Sequence, residues 1–215
     1  MSGSCLTVMV PTVLVSWSGG IDSTSCLWQL LRDGVCVLAH HVELRSPDGR
    51  WRAEGPAVEA QRAWFAAHGM PIEYFKRTGF DYGDVAKYTR DINITAFTAG
   101  FILSGYPSVT AAVISSSADD ARRQESDAGI QARRKQLTEI MAGRSLEWLT
   151  PNLHKSKREV MAEMPPDLLA LCWYCRRPLV EQGKGKSRFV RCGHCRTCRE
   201  VIAAESALAR QAKGE

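Results

Sequence analysis

One short stretch, Ser18-Gly19-Gly20-Ile21-Asp22-Ser23, restricts the fold of this chain more than any other. An apolar run, Val13-Leu14-Val15-Ser16-Trp17, leads into it. Thr24-Ser25-Cys26-Leu27-Trp28-Gln29-Leu30-Leu31 follows with helical spacing. A buried strand that turns through two glycines straight into a helix is the first half of a crossover, and crossovers build parallel sheets. Adjacent glycines let successive backbone N–H groups point into one concavity. The helix start behind them adds unpaired donors and partial positive charge. Ser18 and Ser23 add hydroxyls, so the loop suits a polyphosphate. It is not a Walker A loop, which needs four residues between its glycines and then a lysine. Asp22 stands where a cation would help, which fits a divalent ion such as Mg2+ or a brace for the turn.

The remaining chain repeats the alternation. Strands are predicted at Val35 to Ala39 (ending at His40-His41-Val42), Ile72 to Phe75, Ser108 to Ile114 and Leu146 to Leu149. Helices are predicted at Pro56 to His68, Ile92 to Leu103 (buried), Ile130 to Met141, Ser156 to Met164 and Arg199 to Ala212. Val58, Trp64 and Phe65 form the inward stripe of the first of these, and Gly69 stops it. Arg45 to Gly55 and Thr78 to Thr89 read as loops. Ser156 followed by Glu159 is a capping-box pattern. The expected class is α/β, a mostly parallel sheet with helices on both faces. Ligands in such sheets sit beyond the carboxyl ends of the strands. That places Val42 and the run Ser115 to Asp120 beside the glycine turn.

Cysteines give the second constraint. Of 8 in the chain, Cys5, Cys26 and Cys36 are isolated and read as small apolar packing residues. The others cluster as Cys172-Trp173-Tyr174-Cys175 and Cys192-Gly193-His194-Cys195-Arg196-Thr197-Cys198. Overlapping Cys-x2-Cys pairs form knuckles that suit tetrahedral Zn2+, with a fourth ligand from Cys172 or Cys175. Four thiolates leave no open coordination position, so the metal is expected to be structural. An iron–sulfur cluster also accepts four cysteines; zinc is favoured because nothing else in the sequence suggests redox chemistry. His194, between ligands, is expected to point outward. Reduced, metal-binding cysteines suit the cytoplasm.

Size and charge bound the rest. The 215 residues, 45% hydrophobic, allow one α/β domain with a small appendage. The expected division is residues 10–165 for the phosphate-loop domain and 166–215 for the knuckles and last helix. No apolar run reaches the ~20 residues needed to cross a bilayer. Met1 to Pro11 lacks the basic region of a secretory signal. Net charge is +5, and basic residues gather between Lys155 and Arg199. That asymmetry suits an anionic ligand such as ATP. A solvated rim around the metal site accounts for it better than a nucleic-acid surface does.

Taken together, Ser18-Gly19-Gly20-Ile21-Asp22-Ser23, Leu153 to Val160, and Trp173-Tyr174-Cys175 with Cys192, Cys195 and Cys198 resemble the 7-cyano-7-deazaguanine synthases. These belong to the PP-loop, N-type ATP pyrophosphatases, with an adenine nucleotide α-hydrolase-like fold. The resemblance runs roughly from Val13 to Arg199. It implies that Ser16, Ser18, Gly19, Gly20, Asp22, Ser23 and Val42 hold ATP, with Asp22 on Mg2+ or bracing the loop. It implies catalytic roles for Asp22, Lys155, Lys157 and Asp120, and makes Cys175, Cys192, Cys195 and Cys198 the zinc ligands with Cys172 spare. The implied reaction adenylates the carboxylate of 7-carboxy-7-deazaguanine, expels pyrophosphate, and lets ammonia displace AMP on the way to an amide and a nitrile. Family members often pair as homodimers.

The sequence departs from that pattern where the base would bind. His40-His41-Val42-Glu43-Leu44 replaces an aromatic–Asp–Tyr–Gly–Gln motif. Arg90 and Asn93 stand apart where the family has an adjacent pair, and Pro178 to Arg191 lengthens the loop between Cys175 and Cys192. Two further readings follow. One is a synthase-like enzyme that hands the activated carboxylate to a protein or other amine, as in phage-encoded or antiphage settings. The other is a PP-loop enzyme that modifies tRNA.

Overall fold

The structure is a computed structural model and describes residues 10–119, 129–183 and 187–213. Its centre is a five-stranded sheet in the order β3-β2-β1-β4-β5, every neighbouring pair parallel. The strands are β1 (Val13–Ser16), β2 (Val37–Arg45), β3 (Tyr74–Asp81), β4 (Ala111–Val113) and β5 (Glu147–Leu149). The helices between them are α1 (Ile21–Arg32), α2 (Trp51–Ala67), α3 (Asp91–Ser104) and α4 (Gly129–Ala142). Beyond β5 come α5 (Lys157–Glu163), α6 (Pro166–Ala170), the hairpin β6 (Leu179–Gln182) and β7 (Ser187–Val190), and α7 (Arg196–Lys213).

The two-residue period of the strands divides the core in two. Val13, Val15, Val37, Ala39, Ala111 and Val113 face one side. There they pack on Ile21, Cys26 and Leu27 of α1, Val58 and Phe65 of α2, and Val160, Leu168 and Val201 from α5, α6 and α7. Leu14, Leu38 and Ala112 face the other side, against Ala99 and Leu103 of α3 and Ala142 of α4. Both helix layers were expected. The C-terminal helices share the α1–α2 core through Val160, Leu168, Val201 and Ala204.

Several boundaries differ from the sequence reading, each for a local reason. Strand β2 runs on to Arg45 and β3 to Asp81, paired from Leu38↔Tyr74 through Arg45↔Asp81. β3 is an outer strand that is half exposed. Its polar alternation, Lys76-Arg77-Thr78, therefore resembled a loop and not a continuous apolar strand. Helix α2 starts at Trp51, so the last five residues of the expected loop, Trp51 to Gly55, are helix, and Pro56 lies inside it. Near a helix start a proline deletes a single bond. Helix α3, expected to be buried, exposes Phe101 at 53% and buries a strip of small residues, Ala96, Ala99 and Gly100, against α4. Only Val58 and Phe65 of the expected α2 stripe are buried. Trp64 is partly exposed and donates from Nε1 to Asp167 Oδ2 at 2.6 Å. Helix α6 and the β6–β7 hairpin were not anticipated. The capping box is present as read: Ser156 and Glu159 bond each other's backbone N–H. Among the described residues no helix is long and apolar enough to cross a membrane.

Candidate functional site

Strand β1 lies between β2 and β4, with α1 and α2 on one face and α3 and α4 on the other. The connections leaving β1 and β4 therefore diverge, and a crevice opens at their carboxyl ends. The Ser18–Ser23 turn and the Ser115–Ser117 segment both lead into it.

Gly19 carries φ +76, and a Cβ there would sit 3.1 Å from Val58 Cγ2. Two hydroxyls shape the turn. Ser23 Oγ accepts the Ser18 N–H at 3.2 Å and lies 3.1 Å from Ser18 Oγ, and Ser18 Oγ accepts the Gly20 N–H at 3.3 Å. Gly20 is the N-cap of α1 and, having no side chain, makes no side-chain cap hydrogen bond there. The positive end of the α1 dipole lies at this turn, where an anion is favoured.

Asp22, in the first turn of α1, is ion-paired to Lys157 Nζ at the start of α5. The lysine side chain is only 9% exposed. Its backbone N–H donates to Asp119 Oδ2 at 2.7 Å, which fastens α5 to the end of the β4 segment. Lys155 points elsewhere and pairs with Glu163 at 2.6 Å. The structure thus brings Asp22, Lys157 and the serine–glycine turn together and sets Lys155 apart. Asp120 lies outside the described residues. Val42 sits two residues beyond His40, whose carbonyl accepts the Trp17 N–H at 2.7 Å. By the two-residue repeat, Val42's carbonyl faces the same edge, past the end of β1. Ser16, the last residue of β1, is half-buried opposite His40. Of the departures in the sequence, Arg90 sits just before α3, and Asn93 Nδ2 donates to Thr89 Oγ1 at 3.0 Å.

Beside Lys157 a cleft of about 580 Å3 runs between Ser156, Arg158 and Asp119 on one wall and Glu200, Ala203 and Ala204 of α7 on the other. Its size is that of a small-molecule site.

Gln61 and Asn152, which sequence reasoning missed, hold the turn from behind together with the Trp173 amide, whose motif it named but not this contact. Gln61 is fully buried. Its Nε2 donates to Gly19 O at 3.0 Å and to Leu171 O at 3.2 Å, and its Oε1 accepts from Thr24 Oγ1 at 3.0 Å. The Trp173 N–H donates to Gly19 O at 2.9 Å. Asn152, also buried, donates to Asp22 O at 3.4 Å and accepts from Gln29 Nε2 at 2.9 Å. A polar residue on the apolar stripe of α2, between Val58 and Phe65, was the available signal for Gln61.

At the other end, Cys175, Cys192, Cys195 and Cys198 bring their sulfurs within 4.8 Å of one another. Cys175 and Cys192 Sγ are 3.6 Å apart, and Cys192 and Cys198 Sγ 4.0 Å. Four thiolates at ~2.3 Å around one tetrahedral ion lie about 3.8 Å apart. The set therefore fits a single ion. The N–H groups of Cys192 and Cys195 donate to Cys175 Sγ and Cys192 Sγ at 3.3 and 3.2 Å. Burial resists ionisation of Cys195. The Cys198 and Arg176 amides and the Cys198 and Cys192 thiols outweigh it and bring Cys195 down to about 6. His194 is exposed, as expected. Cys172 stays outside the set. Burial pushes it up to about 12, as it does Cys26, where the Asp22 charge adds to the effect. Both are neutral thiols.

Between the turn and the cysteines lies a charged cluster. Arg50 Nη2 and Arg176 Nη1 both reach Asp91 Oδ2, at 2.8 and 3.0 Å. Burial works against the Asp91 carboxylate, yet these two guanidiniums hold it below the ordinary range. Behind them Glu54 is raised by burial, only partly offset by Arg50 and Arg176.

No protein-family model and no curated protein matches the chain. Among solved structures, the U34-tRNA thiolase NcsA from Methanococcus maripaludis, with its [4Fe-4S] cluster, aligns at TM-score 0.52 and 15% identity over 91% of this chain. The aligned part is 63% of that protein, so this chain spans less than two thirds of its length. The likeness shows a shared fold. A predicted subunit of tRNA methyltransferase from Methanocaldococcus jannaschii aligns at TM-score 0.42 and 15% identity, over 92% of this chain and 89% of the other.

Proposed function

We propose that this chain binds ATP with Mg2+ and adenylates an oxygen of a second substrate, releasing pyrophosphate. The observation that carries the reading is the serine–glycine turn at the β1–β4 crevice with the Asp22–Lys157 pair at its edge. In this reading the α1 amides, Ser18 and Ser23 hold the β- and γ-phosphates, Val42's backbone meets adenine, and Ser16 lies under the nucleotide. The substrate oxygen attacks the α-phosphorus, and the bond from that phosphorus to the α,β-bridging oxygen breaks. Negative charge builds on the departing pyrophosphate. Lys157, already desolvated, can turn from Asp22 to that charge, freeing Asp22 for Mg2+. Positioning and charge neutralisation then supply most of the acceleration.

The cysteine set is proposed to hold Zn2+ in a structural role. Its sulfurs lie close enough to share one ion, whereas a cubane cluster would give each thiolate an iron of its own. All four coordination positions are filled by the chain.

Two second substrates fit this chemistry, and both are nucleobases. The resemblance to 7-cyano-7-deazaguanine synthases favours the carboxylate of 7-carboxy-7-deazaguanine, seated in the cleft beside Lys157 and Arg158. The fold shared with a U34-tRNA thiolase favours a base within tRNA, and the base-binding departures at His40 to Leu44 weigh on the same side. Cys26 and Cys172 are neutral and buried, so an attacking sulfur or nitrogen would come from a separate donor. The test is pyrophosphate and AMP release from ATP and Mg2+, with 7-carboxy-7-deazaguanine in one arm and tRNA in the other. Substrate-dependent pyrophosphate in either arm is expected, with no turnover by Asp22→Ala. Release of ADP and phosphate instead, or silence in both arms, overturns the proposal.

A further inference from the structure

We infer that the cysteine metal site and the phosphate turn form one coupled unit, joined through Gln61 and the Trp173 amide, so that metal occupancy sets the affinity for nucleotide. The inference rests on the proposal that the turn binds ATP, and it adds a regulatory dependence to that reading.

The argument begins with one peptide plane. The carbonyl of Gly19 and the N–H of Gly20 are opposite ends of the same rigid amide. Whatever fixes the carbonyl also fixes the direction of the N–H, which donates to Ser18 Oγ at 3.3 Å and so sets the place of that hydroxyl in the turn. The carbonyl is gripped by two donors, Trp173 N–H at 2.9 Å and Gln61 Nε2 at 3.0 Å. The Gly19 φ of +76 is held in that environment.

Both donors are tied to the metal ligands. Trp173 is two residues before Cys175, and its ring N–H donates to the Cys175 carbonyl at 3.0 Å. Gln61 also donates to Leu171 O, in the same segment. Arg191, adjacent to Cys192, donates to the Cys172 carbonyl at 2.7 Å and stacks over Tyr174 at 4.3 Å. Residues 171–175 are therefore held from Cys175 at one end and from the Arg191–Cys192 segment alongside. An ion that draws Cys175 and Cys192 together fixes this segment, and with it the Gly19 peptide. Gln61 has all its hydrogen-bonding groups committed to this junction: one acceptor to Thr24, two donors to Gly19 and Leu171. It touches no ligand in this scheme and is a positioning residue.

Coupling between two sites is reciprocal, which gives two independent readouts. Calorimetry of α,β-methylene ATP with Mg2+ on the zinc-loaded protein and on chelator-stripped protein reads one direction. Zinc release to a colorimetric chelator, with and without that nucleotide, reads the other. Stripping is expected to weaken nucleotide binding by at least about 10-fold, within the usual range of coupling, and saturating nucleotide to tighten zinc by the same factor. Gln61→Met should retain one zinc per chain and the wild-type circular dichroism, yet bind nucleotide more weakly and show a smaller effect of stripping. Equal nucleotide affinity of loaded and stripped protein, or a zinc release unchanged by nucleotide, overturns the coupling alone. If stripping unfolds the protein, zinc release and Gln61→Met decide the matter. A loaded wild-type protein that binds no nucleotide overturns both the coupling and the proposed function.

Discussion

At the scale of single residues, Gly19 is the position where backbone and function meet most tightly. Its φ of +76 lies in the left-handed region, which costs a side chain-bearing residue about 1–2 kcal/mol. An added methyl would also press on Val58 Cγ2 at 3.1 Å. Gly19→Ala is therefore expected to lose at least that stability in urea or thermal unfolding, and to weaken ATP binding further because the turn must shift. A variant with wild-type midpoint and wild-type affinity would contradict this account. The motif around Gly19 was fully legible, because it is local. Gln61 was signalled only as a polar residue on the apolar α2 stripe; its partners Gly19 and Leu171 come from distant parts of the chain, so its role was not legible. The two lysines before α5 looked equivalent in sequence. Only folding shows that Lys157 reaches Asp22 while Lys155 is taken by Glu163.

At the scale of elements, the contact between α3 and α4 depends on Gly100. A Cβ at that position would stand 2.4 Å from Met141 Cβ and 2.6 Å from Thr138 O, both on α4. The backbones approach closely here, and Thr138 Oγ1 crosses over to donate to Ala96 O at 3.2 Å. Gly100→Ala gains helix propensity but must push the two helices apart. Overpacking of this kind typically costs about 1–3 kcal/mol. A lowered melting temperature is expected, with the metal content unchanged. Element types were well signalled by periodicity and by the Ser156–Glu159 cap. Element ends were not. The outer strand β3 is polar on exposure grounds, and the α2 start is hidden behind a proline that the helix tolerates.

At the scale of the whole molecule, acid stability follows from the centre of the sheet. His40 is fully buried between β1 and β3. Burial, reinforced by neighbouring His41, takes it from the ordinary 6.5 down to about 4. Folded His40 stays neutral while the unfolded chain takes up a proton between those values. Its contribution is complete above pH 6.5 and declines as pH falls to about 4, by about 3 kcal/mol for a shift of this size. Denaturation midpoints measured from pH 7 to 4.5 should fall along that course. His40→Gln, which can keep the bond to Thr78, should flatten it; an unaltered slope in the variant would show that other groups set the acid limit. The layered α/β architecture and the four-cysteine set were both evident from sequence. How the C-terminal helices share one core with α1 and α2 was not, since that depends on which face of the sheet remains uncovered.

The outer strand carries one more consequence. Among the described residues β3 pairs only with β2, so its far side offers a row of backbone donors and acceptors to any other extended chain. Lys76, Arg77 and Asp81 place charge along that border. Charge of this kind opposes lateral zipping of one molecule onto another, so neutralising Lys76 and Arg77 is expected to lower the concentration at which the protein starts to aggregate, as light scattering would read it.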